Sequence, residues 1–235
     1  MQTALHSHHA LHFFLAIEGD LRFKTSPRGQ WSRAAGVLTS PHATHAIDAR
    51  GVEILLVFLD PESDAGTAFG PALDHPVRPI LLDERAELVR DVVPRTILRS
   101  GAGEWVQRAA EVLRVVPPAK QRTVHPGIYK LLGMLRTSGV DQPTSLDALA
   151  DAVGLSPGRL MHVFTTSIGI PLRPYLAWLR VQRAAIAIVT GNSLTEAAHT
   201  AGFSDAAHMS RTFRHMLGVT PSVLRPLRCS QNVQD

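Results

Sequence analysis

Apolar and polar positions along this chain change period before its middle. Over residues 1–60 the apolar positions come in short runs broken by turn residues. His12-Phe13-Phe14-Leu15-Ala16-Ile17 reads as a strand, turned at Gly19-Asp20, and Leu21-Arg22-Phe23-Lys24 alternates after it. Gly36 to Thr39 is a further strand, stopped by Pro41. Ala43 to Ala49 and Glu53 to Leu59 follow, the latter carrying ILLVFL, apolar enough for a buried strand. Residues 61–80, rich in Pro, Gly and Asp, read as a loop. Several short strands in succession predict a small β-barrel or sandwich.

The period then lengthens to that of a helix. Asp83 to Val93 is predicted helical and stopped at Pro94. Glu104 to Val116 is a second helix with Trp105, Ala109, Val112, Leu113 and Val116 on one face, a stripe for core packing or a dimer seam. Pro117-Pro118-Ala119-Lys120 reads as a linker, which sets domains at 1–119 and 120–235. His125 to Arg136 follows as a helix with Ile128, Leu131, Leu132 and Leu135 inward. Thr144 and Asp147 have capping-box spacing before a helix over Ser145 to Val153. Gly154 turns it, Ser156 caps the next helix, and Pro157 occupies that helix's first turn. Pro171 to Thr190 reads as one long helix of about 30 Å at 1.5 Å per residue.

The second half repeats itself. SLDALADAVGLS (145–156) aligns with SLTEAAHTAGFS (193–204) at an offset of 48. With one residue inserted, Leu160 matches Met209, Phe164 matches Phe213 and Gly169 matches Gly218. In the second copy Ser193 and Glu196 form a capping box, Gly202 ends the helix, Ser204 caps the next one over Asp205 to Met216, and Met209, Phe213 and Met216 form its buried stripe. Small Ala197, Ala198 and Ala201 allow a close helix crossing. Each copy is a helix-turn-helix pattern, whose second helix enters a DNA major groove. Successive major-groove faces on one side of DNA lie about 34 Å apart, so the long helix is a strut of suitable length.

Charge agrees with that reading. Residues 1–119 hold 12 Lys+Arg against 14 Asp+Glu, whereas residues 120–235 hold 12 against 6. The basic half suits a polyanionic partner. At 45% hydrophobic the chain can bury proper cores. Its one cysteine, Cys229, precludes an intrachain disulfide. No apolar stretch approaches the ~20 residues of a membrane span, and the expected location is cytoplasmic.

Residues from about 125 to 228 resemble the DNA-binding domain of AraC-family bacterial transcription regulators. The resemblance is carried by LRVQRAAIAIVTGNSLTEAAHTAGFSDAAHMSRTFRHMLGVTPSVLR, Leu179 to Arg225. It implies a one-component regulator that binds double-stranded promoter DNA, often as a homodimer and alongside RNA polymerase, with a small-molecule effector at the first domain. It also implies which residues meet DNA. The first recognition helix would present Gly158, Met161 and His162, with Arg159 nearby; the second would present Ala206, Ala207, His208 and Arg211. Arg211 can pair bidentately with guanine, while Ala and Met side chains can touch the thymine methyl. Arg180, Arg183 and Arg214 are phosphate candidates, or hold helices together by pairing with acids such as Asp151.

The first domain resembles a cupin barrel in two stretches. His6-x-His8, then His12 at the position of an acid, then Gly19 matches the spacing of the first cupin motif; Gly36, Pro41 and His45 follow the second loosely. In metal-binding cupins such positions supply imidazole and carboxylate ligands, so His6, His8, His12 and His45 are candidates for a divalent metal or for lining an effector pocket. No cofactor is otherwise indicated. The expected fold is α+β: a cupin-like β-barrel with flanking helices, then an all-α domain of two helix-turn-helix units joined by a long helix. Two other classes compete with a regulator: a metal-dependent cupin enzyme fused to a DNA-binding domain, and a co-regulator that binds protein through its tandem helices. No nucleophile–base–acid set and no Gly-rich phosphate loop supports the enzyme.

Overall fold

The computed structural model describes residues 1–70, 73, 75–92, 103–116, 124–137 and 145–227. The chain forms two compact units, Met1–Gln121 with Phe213–Val223, and Arg122–Thr212 with Leu224–Asp235.

The first unit is built on β1 (Leu11–Ala16), which pairs antiparallel with β4 (Gly36–Thr39) on one side and β6 (Ile54–Leu59) on the other. With β7 (Val77–Ile80) they form a sheet in the order β6-β1-β4-β7. A second sheet has the order β3-β2-β5, from β2 (Leu21–Lys24), β3 (Ser32–Ala34) and β5 (Ala46–Asp48). All six residues of β1 are buried because both faces of its sheet are covered. On one face Leu11, Phe13 and Leu15 join Leu38, Val57, Leu88 and Trp105; on the other Phe14 and Val37 meet Leu21, Phe23 and Ile47 of the second sheet.

Two sheets therefore face each other across a shared core. They stay open, and the closed barrel expected from the sequence is not formed. Alternation along each strand reports which side chains share a face, but closure depends on which strand edges meet, and that is non-local.

Residues 61–80 are not one loop. They contain α1 (Asp64–Phe69), whose Ser63 hydroxyl accepts from Gly66 N at 3.0 Å, and the edge strand β7. β7 is short and carries Pro79 opposite Val37; proline has no N–H to donate, which an edge strand tolerates. β3 (Ser-Arg-Ala) is also an edge strand and has no apolar alternation to betray it. The strand expected over 43–49 shortens to β5.

α2 (Leu82–Val89) and α3 (Gly103–Val112) cover the outer face of the larger sheet. Trp105 Nε1–H donates to Leu88 O at 2.9 Å and the Trp105 ring meets Phe13 edge-on at 5.1 Å. The expected stripe on 104–116 is thus core at Trp105 and Ala109, while Val116, past the end of α3, is exposed. The helix stop at Pro94 and the linker at 117–120 lie outside the described residues.

From residue 126 the described chain is helical: α4 (Pro126–Thr137), α5 (Leu146–Ala152), α6 (Pro157–Ile168), α7 (Leu172–Val189), α8 (Leu194–Thr200), α9 (Ala206–Leu217) and a closing 3-10 turn at Pro221–Leu227. Ile128, Leu131 and Leu135 of α4 pack with Leu149, Leu160, Phe164, Tyr175 and Leu179 from α5, α6 and α7 in one core. α7 has 18 residues, about 27 Å, with Pro171 and Thr190 as its caps. Thr144 lies outside the described residues; Ser145 caps α5 and accepts from Ala148 N at 3.3 Å.

Candidate nucleic-acid interface and histidine cluster

The repeat is realised element by element. α5 and α8 have seven residues each and begin 48 apart; α6 and α9 have twelve each and begin 49 apart, the inserted residue falling between the helices. Gly154 and Gly202 have φ of 68° and 79°, the left-handed region where a Cβ is strained. The chain can therefore leave α5 and α8 abruptly and start the next helix at a steep angle. In the second copy Ser193 Oγ accepts from Glu196 N at 3.2 Å and Glu196 Oε2 accepts from Ser193 N at 2.8 Å, the reciprocal capping box. α8 packs on α7 and buries Ala197, Ala198 and Ala201.

The second helices enter differently. Ser156 Oγ accepts from Arg159 N at 3.4 Å at the head of α6, with Pro157 in the first turn. At the head of α9 the cap is Asp205, not Ser204: Asp205 Oδ1 accepts from His208 N at 2.7 Å. The extra residue between turn and helix moves the cap by one. Ser204 Oγ instead lies 3.1 Å from His208 Nδ1 and donates to Asp205 Oδ2. The hydrogen bond from His208 N, first among several, holds the Asp205 carboxyl below the usual range.

Burial divides the two recognition candidates. On α6 Leu160 and Phe164 are buried, while Gly158, Arg159, Met161 and His162 are exposed. On α9 Met209 and Phe213 are buried, while Ala207, Arg211 and Arg214 are exposed. Ala206 and His208 are half-buried, and the His208 ring sits edge-on to Phe203 at 5.3 Å. His208 is thus held from two sides by its own unit.

Of the arginines of α7, the two phosphate candidates Arg180 and Arg183 are half-buried, while Arg173 is exposed. Arg183 donates to the Leu135 carbonyl in the last turn of α4, where helix carbonyls in general run out of intrahelical donors. Arg180 lies by the second turn: a Cβ on Gly202 would be 3.7 Å from its Nε. Of the three phosphate candidates, Arg214 is the exposed one.

In the first unit the four candidate histidines are all buried. His6 and His45 form an isolated antiparallel bridge, with both backbone N–H···O distances at 3.0 Å, and their rings lie 4.3 Å apart. His8, two residues on, projects to the same side, 5.2 Å from the His45 ring. One ring nitrogen from each of His6, His8 and His45 lies within 4.8 Å of the others. His12 is not one of that trio but adjoins it through His8. Its ring stacks on Phe58 at 3.9 Å, and its Nδ1 is 3.1 Å from His8 Nε2.

Burial dominates the electrostatics. It pushes the His8 and His12 imidazoles well below their ordinary value, lowers His6, and lowers His45 to about 4. All four are neutral near pH 7 and keep a lone pair each.

Two further polar constellations gave no signal in the sequence pattern. His9 Nδ1 lies 3.2 Å from His42 Nε2, and His9 Nε2 lies 3.3 Å from Glu62 Oε2. Asp48, at the end of β5, accepts from Arg50 at 2.8 and 2.9 Å and from Arg22. Each joins residues far apart in sequence or across strands, where periodicity carries no information.

A model of the family described as "Helix-turn-helix domain" matches residues 149–226. An uncharacterized HTH-type transcriptional regulator of Staphylococcus aureus (strain N315) is 35% identical over 82 residues, 34% of this chain and 11% of the relative. The bifunctional transcriptional activator/DNA repair enzyme Ada of Escherichia coli (strain K12) is 28% identical over 108 residues, 46% of this chain and 30% of Ada. The matches thus span about a tenth to a third of the length of these curated relatives. Among solved structures, ToxT from Vibrio cholerae covers 98% of this chain and 95% of its own at 10% identity and a TM-score of 0.57, a likeness of fold. Residues 149–226 are thus similar to a helix-turn-helix domain family. No helix among the described residues is long and apolar enough to cross a membrane.

Proposed function

We propose that this chain is a sequence-specific DNA-binding transcription regulator, working in the cytoplasm on double-stranded DNA. One observation carries the reading: two copies of a seven-residue helix, a left-handed glycine and a twelve-residue helix, each second helix burying one face and leaving the other to solvent. α6 and α9 are the recognition helices. Arg211 is the leading base reader, Gly158, Arg159, Met161 and His162 the readers of the first helix-turn-helix copy, and Arg214 the phosphate contact. Half-burial makes Ala206 and His208 lesser readers than Ala207 and Arg211. Arg180 and Arg183 act through the protein, Arg183 by fastening α7 to α4.

The first unit serves as the sensing domain. Its support is the fold likeness to ToxT along nearly the whole chain; one such structure is titled unsaturated fatty acid bound wild-type ToxT, at 11% identity and a TM-score of 0.56. A small-molecule effector at the first unit, a homodimer and an encounter with RNA polymerase belong to this reading. So does the cupin-like ancestry of the open sheets, which the His6-x-His8 and Gly36 to His45 spacing supports.

Fluorescence anisotropy tests the proposal, using DNA from upstream of the chain's own gene and a scrambled duplex over a salt series. Specific binding should exceed binding to the scrambled duplex by about 10³-fold or more. Equal binding to both, with and without effector extracts, would overturn it.

A further inference from the structure

We propose that Arg22, Arg33 and Arg50 form a binding site for a small organic oxyanion, a phosphate ester or a carboxylate, on the outer face of the smaller sheet. The site lies wholly within the first unit and is independent of DNA binding.

Strand register builds it. Leu21, Phe23 and Ile47 turn to the core, so the alternate residues Arg22, Arg33 and Asp48 turn away from it. Arg22 stands directly opposite Arg33 on one side and Asp48 on the other, which makes one row across β3, β2 and β5. Arg50 follows just past the end of β5. With Asp20 and Val52 these residues line a cavity of about 320 Å³. That is room for one small metabolite.

The donors are held in place before any ligand arrives. Asp48 accepts from Arg50 Nε and Nη2 at 2.9 and 2.8 Å, and from Arg22 Nη2. Both guanidiniums are thereby fixed, and the Nη1 of each has no partner among the described residues. The Trp31 ring, 5.7 Å from Arg22 Cζ, is a second hold on Arg22. Arg33 differs from them. It is exposed, and it makes no hydrogen bond or ion pair among the described residues although it faces Arg22 across the ladder. Like charges directly opposite each other destabilise a sheet. An anion seated between them turns that repulsion into attraction, and guanidinium forks match the paired oxygens of carboxylate and phosphate.

Charge and shape select the class. Three arginines against Asp20 and Asp48 give the lining a net charge of +1, which favours a ligand of one or two negative charges. Asp20 repels the run of phosphates in a nucleic-acid backbone and can accept from a hydroxyl of a small ligand. Val52, half-buried, offers an apolar contact to a carbon skeleton.

The test is isothermal titration calorimetry of the full-length protein at fixed ionic strength, with inorganic phosphate, glycerol 3-phosphate and succinate as probes and glycerol as the uncharged control. Glycerol 3-phosphate or succinate should bind at a single site with a Kd of ~1 mM or tighter, and glycerol should give no heat. Which of the two binds tells a phosphate site from a carboxylate site. Arg33→Gln should weaken that binding about tenfold or more, as loss of a charge-assisted hydrogen bond does, with the unfolding midpoint kept or raised. Arg28→Gln, exposed but outside the lining, should leave it unchanged. Absence of binding by all three anions at ~10 mM would overturn the proposal. So would binding indifferent to Arg33→Gln, or weakened equally by Arg28→Gln, the mark of diffuse attraction. A loss of affinity for a scrambled duplex in Arg33→Gln would make the row a DNA-backbone contact and overturn it too.

Discussion

At the scale of single residues, exposure and prior engagement separate the DNA candidates. Arg211 is exposed on α9, with Asp205 among the charges that face it. Arg211→Ala should lower specific affinity by about 1–3 kcal/mol and relax the preference at one base position, as loss of a bidentate guanine contact does; anisotropy at fixed salt measures both. Arg183 provides the contrast. Its guanidinium is spent on the Leu135 carbonyl, so Arg183→Ala should leave the slope of log K against log[salt] unchanged while lowering the unfolding midpoint. An altered slope with unaltered stability would return Arg183 to the phosphate contacts. Residue types alone did not distinguish these arginines. The difference lies in what each one faces, solvent for Arg211 and a carbonyl of α4 for Arg183.

At the scale of elements, the turn glycines hold the recognition geometry. With φ of 79°, Gly202→Ala should cost about 1–2 kcal/mol in urea unfolding of the chain, since an alanine there carries the left-handed penalty. The Asp48 pair set acts on the smaller sheet. Hydrogen bonds from Arg50 first, and from Arg22, hold the Asp48 carboxyl well below its ordinary 3.8. A depressed carboxylate adds stability that is present above its unfolded value and is lost as the pH falls through its folded one. Asp48→Asn should therefore lower the unfolding midpoint at pH 7, and the gap to wild type should narrow as the pH is brought below about 4. A gap that stays constant over that range would mean the arginines stabilise β5 by packing alone. The turns, the helix lengths and the caps at Ser156 and Ser193 were legible in the sequence because each depends on contacts three or four residues apart; the caps at Ser145 and Asp205 were displaced by one residue from the expected ones. β3, β7 and α1 were not, being short, edge-placed or poor in apolar pattern.

At the scale of the whole molecule, the second half reads as two copies of one reader joined by a helix of about 27 Å. If both copies engage one duplex, hydroxyl-radical footprinting should give two protected patches on one DNA face, about 10 base pairs apart. A single patch, unaffected by substitution of Arg159 and Met161, would leave α9 as the sole reader. Open sheets, not a closed barrel, carry the first unit. That outcome turned on pairing between strand edges, with β7 at one edge of the larger sheet and β3 at one edge of the smaller.

The sequence by itself determined the periodicity, the repeat at 48 and 49 residues, the Ser193–Glu196 capping box and the left-handed turns, and through them the helix-turn-helix domain. All of these are local, set by backbone sterics and hydrogen bonds within one or two turns of helix. Only the tertiary structure decided which of four buried histidines meet, since His6 and His45 are brought together by a bridge across 39 residues while His12 turns to Phe58. It likewise decided which arginines face solvent and whether the sheets close. Those outcomes rest on contacts between distant segments, whose partners no local pattern names.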